Sequence, residues 1–420
     1  MKQKIIFVLL FLPLTILSAQ TTKKEVMANI LLTGGNYYCY PAPNDRYTPA
    51  PKGYNPFYIS HYGRHGARYM TSNDAYDYSI AIMDSAKSCG ALTSFGKDVL
   101  KRLKIAYKNA YKRGGDLSKL GAQQHQGIAY RMYKNYPELL SKPINIDARA
   151  STVRRCILSM SNFCQELRAL NPKLKISMDA STRDMWYIAN KKDSVAVAST
   201  NDEVNAKARK FEKMMIQPDR LLRTLFSNSD FTNKNVDGKK LMHDLYNIEE
   251  DMQCLPELKL SFADVFTKEE LFDLWECRNI RWYYDTGFAP GTTPYYKARY
   301  SLLRNILNTA DDVIRSGKST ATLRFGHDTE VAPLAFLLHL KGCYDVTSDI
   351  DNLYKHWVNF QVIPMAANIQ IIFYRKEGSK DILVKFLQNE HESSIPLKTD
   401  CAPYYHWKDV EAYYRAELAN

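Results

Sequence analysis

The run Arg64-His65-Gly66-Ala67-Arg68 sets two guanidiniums on either side of an imidazole. Arginine presents a rigid, permanently charged fork that matches phosphate oxygens two at a time. Histidine supplies a nitrogen nucleophile. The β-type residues Phe57, Tyr58 and Ile59 lead into the run, and Gly63 and Gly66 interrupt it, so the pattern reads as a turn after a strand. Such a turn can hold a phosphoryl group against the ring. Far along the chain, Thr322-Leu323-Arg324-Phe325-Gly326-His327-Asp328-Thr329-Glu330 follows a similar plan, a strand and a glycine ahead of His-Asp and an apolar helical run. Asp328 and Glu330 are its candidate proton carriers, and His327 a further donor when protonated. Between these stretches, Ser151-Thr152-Val153-Arg154-Arg155-Cys156 opens a helical pattern after a short strand at 144–147. A helix start adds backbone donors and a positive dipole end to an arginine's charge.

The elements that must position these groups are partly readable. Thr93 and Ser118 sit ahead of helical patterns as N-caps should. Val99, Leu103, Ala106 and Ala110 repeat at helical spacing, with Gly114-Gly115 as the expected stop. His125 falls on the second helix and reads first as a structural histidine, with a place near the site as the alternative. Residues 22–55, rich in Tyr, Pro and Asn, read as a surface wrap before a first core strand at 55–61. A strand at 175–178 precedes a charged, helical stretch from 181 to 291. There Thr267-Lys268-Glu269-Glu270 forms a capping box, with Phe266 and Leu271 at staple spacing. Arg183, Lys191, Lys192, Arg209, Lys210, Lys213, Arg278 and Arg281 are candidate contacts to additional substrate phosphates. Arg183 is favoured for its place after the strand, against a solvated helix face for any one of them. A helix at 300–315 closes at Gly317, a hairpin pairs 369–374 with 382–387, and a last helix spans 410–418.

The length and 45% hydrophobic content describe one large or two moderate globular domains. A formal charge of +12 favours anionic partners. No basic tract or nucleic-acid motif is present, so small polyphosphates are preferred over nucleic acid or an acidic membrane. Lys2 and Lys4 precede an apolar core at 5–17 that ends in Leu17-Ser18-Ala19, the pattern of a cleaved export signal. No basic stop-transfer flank follows and no cysteine stands at the cleavage point. The expectation is export to the periplasm or medium, a mature chain from about Gln20, and no stable membrane anchor. The eight cysteines are free to pair in such a compartment. None shows CxxC or Cys/His ligand spacing, so no metal or cofactor is assigned.

Arg-His-Gly-x-Arg is the signature of the histidine phosphatase superfamily, and residues 64–68 match each fixed position. The Gly326-His327-Asp328 stretch resembles the second motif of that family. Residues 117–124 resemble the segment that follows the signature in its acid phosphatase and phytase branch. The sequence at 58–69, Asp116-Leu117-Ser118, Trp275-Glu276-Cys277 and Trp282-Tyr283-Tyr284 resemble exported bacterial multiple inositol polyphosphate phosphatases. The resemblance implies an α/β fold, a phosphoglycerate-mutase-like core with a mixed central sheet and an inserted α-helical cap. Its divisions would be a signal peptide at 1–19, core at 20–180, cap at 181–295 and core again at 296–420. It also implies His65 as nucleophile, Arg64, Arg68, Arg155 and His327 as phosphate ligands, and a metal-free phosphohistidine route. Arg155 is preferred to Arg154 on the spacing to Phe163. Asp328 takes the proton donor's place of the phytases. The inositol polyphosphate group usually carries His-Ala-Glu instead, and Glu330 is one residue too late for it, which leaves Glu330 as second candidate. The implied substrate is a phosphorylated small molecule, inositol polyphosphates first, with a broad acid or sugar phosphatase or a non-catalytic polyanion binder as alternatives.

Overall fold

The computed structural model describes residues 23–190, 202–292 and 294–419. The export segment, Lys191 and Lys192 lie outside the described residues. The sheet is mixed, as expected. Its strands are β1 (Tyr54–Arg64), β2 (Asn145–Ala150), β3 (Lys175–Asp179), β4 (Thr320–Gly326), β5 (Asn368–Lys376), β6 (Ile382–Gln388), β7 (His391–Ser393) and β8 (Tyr405–His406). They run in the order β3-β2-β4-β1-β5-β6-β7, with β8 also on β6. The four strands from β3 to β1 are parallel, and β5, β6 and β7 add antiparallel pairs. β1 and β4 are buried along nearly their whole length, as strands covered on both faces should be.

Register decides what meets at the carboxyl edge of this sheet. Arg64 pairs with Gly326, and Ala150 of β2 pairs with Phe325. Three chain segments therefore leave adjacent parallel strands at one level, the edge where open α/β sheets bind ligands. Backbone bonds fix the exits, from His65 N to the Gly326 carbonyl at 2.9 Å and from Ser151 N to the Phe325 carbonyl at 2.9 Å.

Helices Lys119–Asn135 and Arg154–Leu170 cover one face of the sheet and pin the turn after β1. Ser118 caps the first through the Gly121 amide and also donates to the Ala67 carbonyl at 3.1 Å. Gln124 accepts from Ala67 N at 2.8 Å, and Ser159 from Gly66 N at 3.1 Å. The Ser118-x-x-Gly121-x-x-Gln124 pattern is thus a clamp on the turn. A side chain on Gly121 would stand 2.8 Å from Ala67 N and closer still to its carbonyl oxygen, so only glycine permits the approach.

Among the described residues, no strand of the sheet lies between Asp179 and Thr320. Helices Asp219–Leu225, Gly238–Met252 and Lys268–Asp285 join Asp74–Ser88 and Ser94–Ala110 in a hydrophobic cluster of their own. Thr267 and Glu270 form the expected capping box, and Thr93 the expected cap. Three readings need correction. Helix Ser94–Ala110 ends before Gly114-Gly115, because Tyr111 already leaves the helical region with ψ 124° and Lys112 follows at φ 60°. The last helix begins earlier than expected, at Trp407, and ends at Glu417. Residues 22–55 are not merely a wrap, since Lys23–Ala28 and Ile30–Tyr37 are helical and Thr33–Asn36 are buried.

Gly121→Ala is expected to destabilise the fold by about 1–3 kcal/mol through overpacking against the turn. Urea unfolding measures it, and an unchanged midpoint would show that the turn yields freely.

Candidate active site

Arg64 ends β1 with its guanidinium fully buried, a position that burial alone would make costly. Its Nη1 donates to the Asn36 and Ile363 carbonyls, and its Nη2 lies 2.7 Å from Asp328 Oδ2. Asp328 is the first residue of helix Asp328–Leu337, which begins directly after β4 and His327. Its carboxylate also takes bonds from Asn36 Nδ2 at 3.2 Å and Thr329 N at 3.0 Å. Burial pushes the Asp328 carboxyl up, but Arg64, Arg68 and His327 together override it and hold its pKa below the usual carboxylate value.

His65 is buried beside this pair. Its Nδ1 is 2.9 Å from the Gly66 carbonyl. A carbonyl only accepts, so Nδ1 carries the hydrogen and Nε2 keeps a lone pair. Burial, then the Arg64, Arg68 and Arg155 guanidiniums and His327, hold the ring well below its ordinary pKa. The imidazole is therefore neutral, as a nucleophile must be. The His327 ring stands edge-on, 5.6 Å away between centroids, with Nε2 3.1 Å from Ser151 Oγ.

Arg68 lies over the Tyr37 ring and donates to its hydroxyl at 3.0 Å. Arg155 is partly buried on the first turn of its helix, while Arg154 points out to Asp116 with its side chain 80% exposed. One residue is about 100° of helix rotation, so the two arginines cannot face the same way. Among the described residues, the buried Nε atoms of Arg64, Arg68 and Arg155 have no acceptor. Buried donors ordinarily have partners, and three guanidiniums near one imidazole, each with an unmatched buried Nε, describe a place for an oxyanion.

Glu330 is two residues beyond Asp328 and engages other groups. Its carboxyl contacts Arg299 at 3.3 Å and accepts from Thr329 Oγ1 at 2.9 Å. Burial pushes it up to about 7 against the opposing pull of Arg299 and Thr329. Arg183 has a side chain 72% exposed and pairs with Asp179 and Asp184. Among the described residues its partners are these two acids and not the groups around His65. Arg278 is bound to Glu250, whereas Arg209, Lys210, Lys213 and Arg281 are exposed. Among the described residues, Asp400, Cys401 and His406 form one group with donor atoms within 4.8 Å of one another. His406 bonds to Asp381, which also holds Tyr54 at the start of β1, so that group lies at the opposite end of the sheet.

Asn36 and Tyr37 were not anticipated as site residues. The local sign was Gly34-Gly35, where Gly35 takes φ 56° and Gly34 lies against the Gln253 side chain.

A model of the histidine phosphatase superfamily (branch 2) matches residues 63–389. The chain belongs to that family. Membership makes it a phosphomonoester hydrolase by class. The fold is similar to that of multiple inositol polyphosphate phosphatase from Bifidobacterium longum, with a TM-score of 0.76 at 21% identity, over 92% of this chain and 98% of that one. The phytase of D. castellii gives 0.61 at 15% identity, over 96% and 89%. The Hafnia alvei phytase gives 0.56 at 14%, over 87% and 98%. No curated protein matches the sequence. In this histidine phosphatase no helix of the described residues is long and apolar enough to cross a membrane.

Two further histidines support the site from beneath. His61 and His125 are buried and pack against Phe163 and Phe325, and among the described residues neither ring nitrogen of His61 has a partner. Burial above all lowers each pKa from 6.5 to about 3. An unfolded chain would protonate both below pH 6.5 while the native state refuses them. Stability is therefore full above 6.5 and lost as pH falls toward 3, by about 1.4 kcal/mol per pH unit for each ring. Urea titrations across that range should show this fall, and His125→Phe should make it shallower by one ring's share.

Proposed function

We propose that this protein is an exported phosphatase that hydrolyses inositol polyphosphates through a phosphohistidine at His65. The observation that carries the reading is the neutral His65 ring, Nδ1 tied to Gly66, set among three arginines with unmatched buried donors. In the first step His65 Nε2 attacks phosphorus and the ester oxygen leaves. Arg64, Arg68, Arg155 and His327 bind the phosphoryl oxygens and stabilise their charge in the transition state. Asp328 gives its proton to the leaving alkoxide, then takes one from the water that cleaves the phosphoenzyme.

Asp328 is preferred to Glu330 because it is the carboxylate that touches Arg64. Without substrate, Arg64, Arg68 and His327 keep it ionised. A bound phosphate dianion would compete for the same cations and raise its proton affinity where a donor is needed. The substrate class draws on two similar structures that hold inositol hexasulfate and myo-inositol hexakis sulphate, and on this chain's basic charge. Residues 181–295 act as a helical cap over core segments 20–180 and 296–420. The absence of sheet strands from the described part of that stretch supports the division.

Phosphate release from inositol hexakisphosphate at mildly acidic pH, with a chelator present, tests the reading. Wild type is expected to release phosphate and His65→Ala to lose at least a thousandfold in rate. Equal release by both would remove His65 as nucleophile. Turnover of nitrophenyl phosphate alone would keep the mechanism and point to a broad phosphatase. Binding without hydrolysis would point to a polyanion binder.

The proton donor is tested with leaving groups of different basicity. Asp328→Asn is expected to lower kcat by about 10²–10⁴ on inositol phosphates and far less on nitrophenyl phosphate, whose leaving group needs little help. Glu330→Gln should lose less than tenfold on either. The reverse order would assign the donor to Glu330.

A further inference from the structure

We propose that Cys39 and Cys254 form an intramolecular disulfide that fastens the segment carrying Asn36 and Tyr37 to the helical layer beneath the phosphate site. The two thiols converge on one atom, each 3.8 Å from the Tyr37 carbonyl oxygen. Burial and then the neighbouring Cys39 thiol push the Cys254 thiol up. Cys39 Sγ lies 3.0 Å from the carbonyl of Gln253, the residue before its partner. The remaining contacts hold the same two segments together. Gln253 Nε2 donates to the Leu31 carbonyl at 3.0 Å, and the Tyr246 hydroxyl to the Thr33 carbonyl at 2.6 Å.

What this junction positions is the site itself. Asn36 supplies a carbonyl to Arg64 and an amide to Asp328, and Tyr37 holds Arg68. From the other side, Asp251 accepts from Met70 N at 3.3 Å and acts on the Arg68 charge. A covalent link at Cys39–Cys254 would close a long loop and keep both sets of contacts in place.

The reaction is thiol–disulfide exchange with a small disulfide such as oxidised glutathione. Cys39 is half-buried, whereas Cys254 is fully buried. Cys39 thiolate attacks the oxidant, forming a mixed disulfide and expelling one thiolate. Cys254 then gives up its proton and attacks the Cys39 sulfur, expelling the second. Two protein thiols become one disulfide, and the oxidant disulfide is reduced to two thiols.

The pairing stands apart from the phosphatase reading, and its effect on turnover rests on that reading. The purified chain is equilibrated with oxidised glutathione, alkylated under denaturing conditions and digested. A peptide linking Cys39 to Cys254 is expected, absent after reduction and absent from Cys39→Ser. Failure to find it, or alkylation of both residues, would overturn the pairing. Reduction should lower Tm by about 2–5 °C. It should also lower kcat/KM on inositol hexakisphosphate at least threefold, while Cys39→Ser/Cys254→Ser is indifferent to reductant. A linked peptide with unchanged kcat/KM would overturn the bracing of the site. If the oxidised protein has no phosphatase activity at all, the peptide and Tm still decide the pairing, and the failure belongs to the functional reading.

Discussion

The parallel pairing of β1 with β4 is the constraint on which the site depends. Because Arg64 stands opposite Gly326, the turn that carries His65 and the helix that begins with Asp328 start from one level. A shift of one residue would reverse which side chains face each layer and separate the two motifs. The register is secured by burial on both faces of these strands, and β2 extends it to Ser151 and the helix that carries Arg155.

That arrangement gathers positive charge around a neutral ring. Arg64 is tolerated in full burial because two carbonyls and the Asp328 carboxylate satisfy it. Burial and the same cations keep His65 unprotonated, and the cations hold Asp328 ionised, so the site is set to receive an anion. The buried His61 and His125 give the fold a sensitivity to acid directly beneath that site.

The helical layer and the N-terminal segment complete the pocket from the side away from the sheet. Tyr37 reaches Arg68, Asn36 reaches both Arg64 and Asp328, and the turn after Met252 holds the segment that carries them. These contacts join residues before the first strand to the motifs at the sheet edge on one side and to the helical stretch on the other.

The sequence by itself determined the features that depend on near neighbours. The caps at Thr93, Ser118 and Thr267 were readable because each bonds an amide three residues away. The two motifs were readable because glycine, histidine and arginine at short spacing carry chemistry without reference to the fold. The tertiary structure decided the rest. The sequence could not orient Asp328 toward Arg64 and Glu330 toward Arg299, since both acids lie on one short helix and their partners come from distant elements. It could not show that Arg183 stays on the surface, nor that Asn36 and Tyr37 enter the site. Residues 30–37 have no hydrophobic period of their own, and their conformation is set by contacts with Tyr246, Gln253 and Arg64. Local patterns encode local bonds, whereas the partner of a buried charge is chosen by the packing of segments far apart in the chain.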